Sequence, residues 1–131
     1  MDKLYEAKAI KYIGGSANSG KSNRMINLSV DLAKEDKTVL FISTEMNLEE
    51  LINRFTMLDE DVTKLDIELI HIEMGNVIPL IEQSQGFDVI MVDYCESREM
   101  MADIKNVIVD DTMVIGALQE PRKNLDMEFN V

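Results

Sequence analysis

The stretch at residues 12–23 constrains this chain more than any other part of its sequence. Within it, Gly15, Gly20, Lys21 and Ser22 match the pattern G-x-x-x-x-G-K-S/T, the phosphate-binding loop known as Walker A. Glycines let the backbone curl so that successive N–H groups point at phosphate oxygens, and the helix that follows adds its positive N-terminal end. In this arrangement Lys21 would reach the β- and γ-phosphates of a nucleotide, and Ser22 would bind Mg²⁺.

The segments on either side of this loop have the composition that the motif requires. Residues 9–13 are a short, mostly apolar strand candidate, and residues 23–34 are a helix candidate. A glycine-rich turn without a ligand would give no reason for Lys21 and Ser22 at the start of the helix. The predicted nucleotide-binding residues are Gly15, Ser16, Ala17, Asn18, Ser19, Gly20, Lys21, Ser22 and Asn23.

Length and composition indicate one soluble domain. The 131 residues suit a single domain, 1–131, and 46% hydrophobic with 29% charged residues is ordinary for a globular protein. No apolar run approaches the roughly 20 residues that span a membrane, and the charged start is not followed by the apolar segment of a signal peptide. The one cysteine, Cys95, has no internal disulfide partner, which fits a reducing compartment. We therefore expect a cytoplasmic protein without a membrane partner.

The charge balance limits the choice of partners. Lysine and arginine total 13 against 25 aspartates and glutamates, which gives a net charge of −12. Proteins that bind nucleic acid usually carry a broad basic surface, so contact with DNA would have to be local or shared between subunits. The acidity favours solubility and, as a partner, a basic protein.

Apolar runs alternate along the chain with segments of helical periodicity. Three β-prone runs without polar alternation predict strands covered on both faces, as in a parallel sheet, at 38–43, 87–92 and 112–118. A strand nearer the sheet edge is predicted at 65–72, and a final edge strand fits the tail at 120–131. Helices are predicted at 23–34, from the N-cap Asn47 to about 58, at 76–85 and at 98–106. The sequence thus predicts an α/β fold, a three-layer sandwich with a mostly parallel central sheet.

Polar residues follow three of the predicted strands. Glu45 comes just after the strand at 38–43, Asp93 closes the strand at 87–92, and Gln119 follows the strand at 112–118. In parallel sheets, ligands bind at the carboxyl ends of the strands, where these side chains and the loop would meet. Four apolar residues closing on Asp93 form the Walker B pattern, whose carboxylate supports Mg²⁺. For Glu45 a second interpretation is an acidic residue near a helix start, favoured by the helix dipole.

Taken together, these segments resemble one branch of the RecA-like P-loop ATPases, the DnaB-type replicative helicases. The matching segments are Phe-Ile-Ser-Thr-Glu-Met at 41–46 with Leu51 and Arg54, the Walker B strand at 89–94, and the sensor strand at 114–119 with Arg122 and Lys123. The resemblance covers about residues 10–123 in the order of that family.

The resemblance implies a role for each polar strand end. Glu45 would polarise the attacking water, Asp93 would support Mg²⁺, and Gln119 would sense the γ-phosphate of ATP. It also implies that the strand at 112–118 lies between the first strand and the Walker B strand. We therefore expect an enzyme that binds and hydrolyses Mg-ATP, with Lys21 stabilising phosphoryl charge and with a homo-oligomer or a replication protein as partner.

The resemblance does not extend to a whole helicase. The additional N-terminal domain and the DNA-gripping loops of that family are not found, and the tail after Gln119 is shorter than the hairpins that supply trans-acting arginine and lysine residues. We expect an ATPase core, and the sequence does not decide whether it unwinds DNA by itself. Two alternatives stay open: a nucleotide-binding regulatory module without significant hydrolysis, and a small P-loop nucleoside kinase. The zinc cysteines and the acceptor-binding lid of thymidine-kinase-type enzymes are missing.

Overall fold

Strands and helices alternate along the part of the chain that the computed structural model describes. This part comprises residues 10–15, 21–58, 64–84, 86–95, 98–108, 112–119 and 128–130. The helices pack on both faces of one sheet, so the predicted three-layer α/β sandwich is confirmed. Across these residues, no helix is long and apolar enough to cross a membrane.

The described residues contain a sheet of six strands. These are β1 (Ile10–Gly15), β2 (Val39–Ser43), β3 (Ile67–His71), β4 (Val89–Cys95), β5 (Met113–Gln119) and β6 (Glu128–Asn130). Their order is β3-β2-β4-β5-β1-β6, and all neighbours are parallel except β6, which runs antiparallel to β1. The strand β5 lies between β1 and β4, as the resemblance implied. The strands β3 and β6 form the sheet edges, as the sequence predicted.

Each helix matches a predicted one, with small differences at the ends. The helices are α1 (Lys21–Lys34), α2 (Leu48–Thr56), α3 (Val77–Gln83) and α4 (Arg98–Val107), and a 3-10 turn at Met74–Asn76 leads into α3. The helices α2 and α3 end before the predicted positions 58 and 85. Each helix is followed by a hydrogen bond of the 3-10 type, to the carbonyl three residues earlier. These bonds run from Leu58 N–H to Phe55 and from Ser84 N–H to Ile81.

Alternation along β2 divides the apolar core between the two faces of the sheet. Val39 and Phe41 join the cluster that contains α1 and α2, whereas Leu40 and Ile42 join the cluster that contains α3 and α4. All four side chains are fully buried, which explains why this run has no polar alternation. Phe41 also meets Phe55 of α2 edge to face, with ring centroids 5.6 Å apart. This packing holds α1 and α2 on the same side of the sheet.

The C-terminal end of α1 has a backbone arrangement that usually contains glycine. Asp36 N–H donates to the Ala33 carbonyl at 3.1 Å, and Lys37 N–H donates to the Leu32 carbonyl at 3.2 Å. These are the two bonds of a Schellman motif, whose left-handed position is taken here by Asp36 with a φ of 68°. Aspartate tolerates this conformation better than most residues, although it remains less favourable than glycine there.

A side-chain clamp joins the amino-terminal ends of β2 and β4. The Asp88 carboxylate accepts hydrogen bonds from the Thr38 N–H at 2.9 Å and the Thr38 hydroxyl at 3.2 Å, and that hydroxyl accepts one from the Asp88 N–H at 2.8 Å. Beside them, the Thr112 hydroxyl donates to the Phe87 carbonyl at 2.7 Å. These contacts hold the register of the central strands at their amino-terminal ends, opposite to the carboxyl ends.

Candidate nucleotide-binding site

The carboxyl ends of β1, β2, β4 and β5 meet at one edge of the sheet because these strands are parallel. Gly15, which ends β1, pairs in register with Gln119, which ends β5. Ser43, which ends β2, pairs with Asp93 of β4. Gly15, Asp93 and Gln119, three of the predicted site positions, therefore share this edge, with Glu45 two residues after Ser43.

The first turn of α1 contacts β4 through two side chains. Ser22 Oγ lies 3.1 Å from Asp93 Oδ1 and 3.2 Å from Asp93 Oδ2, so the serine hydroxyl donates to the carboxylate. The two residues are 71 positions apart, and the sequence related them only as Walker A and Walker B motifs. The contact joins the helix that would face the phosphates to the carboxylate predicted to support Mg²⁺.

Asp93 is almost fully buried, with 2% of its surface exposed. Removal from water disfavours the ionised form and raises the pKa of the Asp93 carboxyl above its ordinary range, and the charge of Glu45 acts in the same direction. Hydrogen bonds from Ser22 and Ser43 and the positive charge of Arg54 lower this pKa without cancelling the effect of burial. A buried carboxylate whose negative charge is only partly compensated by its neighbours is suited to binding a cation.

The strand β4 continues to Cys95, whereas the sequence predicted that it ends at Asp93. Pairing with β2 stops at Asp93, but pairing with β5 resumes at Cys95 after a shift in register that begins at Val92. Because three steps along β4 match two along β5, the strand carries a β-bulge around Asp93. Bulges change the direction of side chains and often lie beside functional sites.

The hydroxyl of Ser43 connects Asp93 to the segment after β2. It donates to Asp93 Oδ2 at 3.4 Å and accepts hydrogen bonds from the N–H of Glu45 at 3.3 Å and of Met46 at 2.9 Å. Thr44 contacts the Asp93 carbonyl with both its N–H and its hydroxyl, at 3.3 and 3.4 Å. The backbone that carries Glu45 is therefore held against β4.

Ser43 is a site residue that sequence reasoning missed. A serine that accepts hydrogen bonds from the N–H groups two and three residues later forms an ST-turn, and serine before a short connection to a helix is a signal for one. The contact with Asp93 had no such signal, because it depends on the pairing of two strands 50 positions apart.

The side chain of Glu45 is exposed, and the segment around it is held at both ends. On the other side, Asn47 caps α2 and accepts a hydrogen bond from the Glu50 N–H at 2.8 Å, as the sequence predicted. Glu45 is close enough to Asp93 for its charge to affect that carboxyl. The segment thus presents a solvent-accessible carboxylate at the sheet edge where α1 begins.

Arg54 of α2 reaches the first turn of α1, a contact that the sequence did not indicate. Its guanidinium donates to Asn23 Oδ1 and to Glu50 Oε2, both at 3.1 Å. The pair with Glu50 is partly exposed, so its contribution to stability is small. The bond to Asn23 matters more for the site, because it connects α2 directly to the end of α1 that would face the phosphates.

Three further predicted site residues are located by their backbone alone. Gly15 ends β1, Lys21 begins α1, and Gln119 ends β5, so all three lie at the expected edge of the sheet. Their roles in binding stay predictions. The remaining predicted residues of the loop and of the sensor segment lie outside the described part of the chain: Ser16, Ala17, Asn18, Ser19, Gly20, Arg122 and Lys123.

A parallel sheet with β5 between β1 and β4, a Walker A sequence after β1 and the Walker B aspartate on β4 define a RecA-like P-loop fold. Solved structures of other proteins share it, three of which are given below. A DnaB-like replicative helicase, described with its interactions with primase, matches 92% of this chain with a TM-score of 0.65 and 14% identity. FlaH, a flagellar accessory protein from Methanocaldococcus jannaschii, matches 90% with a TM-score of 0.69 and 18% identity. A third structure, described as an ATPase domain, matches 88% with a TM-score of 0.68 and 15% identity.

These similarities confirm the predicted resemblance to the RecA-like ATPases at the level of the fold. The chain spans 44% of the helicase chain, 66% of the FlaH chain and 58% of the chain of the third structure, less than two thirds of each. None of the protein families compared with the sequence matches it, and neither does any curated protein.

Proposed function

We propose that this chain is a RecA-like ATPase core that binds Mg-ATP and hydrolyses it, related to DnaB-type helicases and acting in DNA replication or recombination. The observation that carries the proposal is the contact of Ser22 with Asp93, 3.1 Å between the hydroxyl and the nearer carboxylate oxygen. A hydroxyl after the Walker A lysine and a Walker B aspartate are the two protein groups that P-loop ATPases use at the metal. In this proposal residues 1–131 act as one domain.

Phosphate binding is assigned to the N-terminal end of α1 and the loop before it. A helix N-terminus has unsatisfied N–H groups and a partial positive charge, both of which attract anions. Residues 15–23 supply backbone N–H groups for the phosphates, and the Lys21 ammonium contacts the β- and γ-phosphates of ATP. In a chain with a net charge of −12, this local positive potential is what draws a polyphosphate to the sheet edge.

The donor atoms around Asp93 fit Mg²⁺, which prefers hard oxygen ligands and keeps several of its waters. The Ser22 hydroxyl and the Asp93 carboxylate supply oxygens that already lie within hydrogen-bond distance of each other. In the proposed site Ser22 holds the ion and Asp93 supports it, directly or through water. Neutralisation of charge on the β- and γ-phosphates is the chemistry that the ion supplies when bound.

Hydrolysis is assigned to Glu45, whose exposed carboxylate lies on the segment held against Asp93. Water attacks the γ-phosphorus, its proton passes to Glu45, and the bond to the bridging oxygen breaks to release ADP and phosphate. Lys21 stabilises the charge on the transferred group. Gln119, in register with Gly15, contacts the γ-phosphate and responds to its loss.

A second chain or a replication protein completes the proposed site. Hydrolysis by P-loop ATPases is fast when a neighbour supplies a basic residue to the transition state, so the isolated chain is expected to be slow. The net charge of −12 favours a basic protein as that partner over broad contact with DNA. The cytoplasm is the proposed location, where a single cysteine stays reduced.

A nucleotide titration with matched lysine variants tests the binding step. Lys21→Ala should weaken ATP binding on the order of 100-fold, because the charged contact to the phosphates is lost. Lys34→Ala removes the same side chain from the other end of α1 and should leave the affinity unchanged. Equal affinities for the wild type and Lys21→Ala would refute the assignment of the loop.

Turnover measurements then separate the proposed hydrolysis from the alternatives. Release of phosphate into water supports the ATPase. Tight binding without turnover at any protein concentration would instead indicate a regulatory module. Transfer of the phosphate to an added nucleoside would indicate a kinase.

A further inference from the structure

We infer that Ser43 is a positioning residue of the proposed ATPase site, which locks the segment carrying Glu45 onto the Walker B carboxylate. The inference rests on the proposed function for the role of Glu45. The link itself rests on contacts of described side chains, in which one hydroxyl touches Asp93 and the backbone of two residues that follow it.

The direction of each hydrogen bond at Ser43 is determined by its partners. Backbone N–H groups can only donate, so the serine oxygen accepts from Met46 at 2.9 Å and from Glu45 at 3.3 Å. A hydroxyl has one proton and two lone pairs. With both lone pairs engaged, the proton is directed to Asp93 Oδ2 at 3.4 Å. Ser43 therefore supplies a donor to the Asp93 carboxylate and an acceptor to the N–H groups of Glu45 and Met46.

Burial makes the loss of this hydroxyl costly. Ser43 is 0% exposed and Met46 is 5% exposed, so solvent has little access to replace the missing partner. An N–H group left without an acceptor in such a place disfavours the conformation that buries it. Without the hydroxyl, the segment before the N-cap Asn47 loses the bonds that define its turn.

The other contacts of Asp93 do not replace the one from Ser43. Thr44 binds the Asp93 carbonyl, which holds the two strand ends together but leaves the carboxylate untouched. Ser22 holds the same carboxylate from the side of α1. Asp93 is thus held by the Walker A helix on one side and by the Glu45 segment on the other. Ser43 is the connection through which the position of this carboxylate determines the position of the Glu45 backbone.

A pair of serine-to-alanine variants tests the positioning role. Ser43→Ala should lower kcat about 10- to 100-fold, since a small misplacement of a reacting group has effects of that size. The Kd for ATP should stay within about threefold of wild type, because the hydrogen bonds of Ser43 go to Asp93 and to the Glu45 and Met46 backbone, which are not assigned to phosphate binding. Turnover and ATP affinity are measured on the same preparations, with thermal melting as a check on folding.

The matched control is Ser29→Ala. Ser29 is also 0% exposed, and its hydroxyl donates at 2.8 Å to the Met25 carbonyl within α1. Its removal should cost similar stability and leave kcat unchanged. Equal kcat values for Ser43→Ala and Ser29→Ala would overturn the inference. So would a loss of ATP affinity in Ser43→Ala as large as the loss of kcat, since that result describes a binding or folding role.

Amide hydrogen exchange tests the link without any turnover. The Met46 and Glu45 amides should exchange at least about 10-fold faster in Ser43→Ala than in wild type, because their acceptor is gone. In Ser29→Ala they should exchange as in wild type, and unchanged exchange in Ser43→Ala would overturn the inference. A wild-type protein that never hydrolyses ATP would refute the proposed function, yet this exchange experiment would still decide whether Ser43 anchors the segment.

Discussion

Asp93 lies at 2% exposure between the hydroxyls of Ser22 and Ser43, where burial raises its pKa. A carboxyl whose pKa is raised by folding binds its proton more tightly in the folded state than in the unfolded state. Its contribution to stability is therefore fully present below the ordinary pKa of aspartate and is lost as the pH rises through the raised pKa. Above the raised pKa, without nucleotide or metal, the ionised carboxylate makes the fold less stable than the protonated carboxyl does.

We expect Asp93→Asn to melt a few degrees higher than wild type at about pH 7, because the amide has no charge to desolvate. The difference should shrink as the pH falls through the raised pKa and vanish near pH ~3, below the ordinary range of aspartate. Thermal melting in metal-free buffer measures it, with Asp31→Asn on the exposed side of α1 as the control. A variant less stable than wild type near neutral pH would contradict this account.

Glu45→Gln should spare ATP binding and lower turnover about 10²- to 10⁴-fold, since the amide keeps the size of the side chain but cannot accept a proton from water. Glu49→Gln, in the first turn of α2, is the matched control and should turn over ATP at the wild-type rate. Single-turnover phosphate release and an ATP titration measure the two effects separately. Normal turnover in Glu45→Gln would contradict the catalytic role of Glu45 and leave the second interpretation, an acidic residue near the start of a helix.

Among single residues, sequence patterns located those that follow an apolar run but not those whose contacts depend on strand pairing. Asp93 directly follows a predicted strand and Glu45 stands two residues after one, so a one-dimensional pattern is sufficient to find them. Ser43 and Arg54 gave no comparable signal. Their partners lie 50 positions away at Asp93 and 31 positions away at Asn23, and only the folded sheet and its helices bring them together.

The end of α1 offers a test of backbone strain in a single element. Replacing Asp36 with glycine should raise the free energy of unfolding by about 1 kcal/mol, because its φ of 68° suits glycine better than an L-residue. Glu35→Gly, one residue earlier in the same turn, is the control. It should lower the free energy of unfolding, because glycine adds conformational entropy to the unfolded chain and Glu35 has no left-handed conformation that glycine would relieve. Urea or thermal unfolding measures both, and a destabilised Asp36→Gly would contradict the role assigned to the Schellman motif.

Elements buried on both faces were easier to predict than the points where elements end. The strands β2, β4 and β5 appear in the sequence as unbroken apolar runs because helices cover both sides of them. The ends of α2 and α3 depend instead on single hydrogen bonds, such as that from Leu58 to Phe55, which leave little trace in composition. The same holds for the extension of β4 past Asp93, where one extra residue in the ladder changes no hydrophobic period.

For the molecule as a whole, periodicity predicted a mostly parallel sheet but not the order of its strands. The place of β5 between β1 and β4 was implied only by the resemblance to the RecA-like ATPases. Many strand orders bury the same apolar runs equally well, so a local pattern cannot choose among them. The clamp of Thr38 and Asp88 helps to hold the register of this arrangement, at the edge away from the candidate site.

ATP turnover per chain should rise several-fold when the protein concentration is raised about a hundredfold, because the proposed site takes a basic residue from a neighbour. Arg54, a cation on the same chain, is already engaged by Asn23 and Glu50. Sedimentation over the same range relates the rate to assembly, and single-stranded DNA should stimulate turnover little at a net charge of −12. A rate per chain that stays constant would show that no neighbour is needed.

The pairing of β1 with β5 also determines the order in which the strands can pair during synthesis. Ile10 pairs with Val114, so the strand before the Walker A sequence gains a parallel neighbour only when most of the chain has been synthesised. The strands β2, β3 and β4 can pair among themselves well before that. During synthesis the strand of the Walker B aspartate can therefore pair with β2 before β1 has β5 beside it. In the proposed function a nucleotide bound by both motifs would favour the finished fold, in which β5 has joined β1, over the earlier forms.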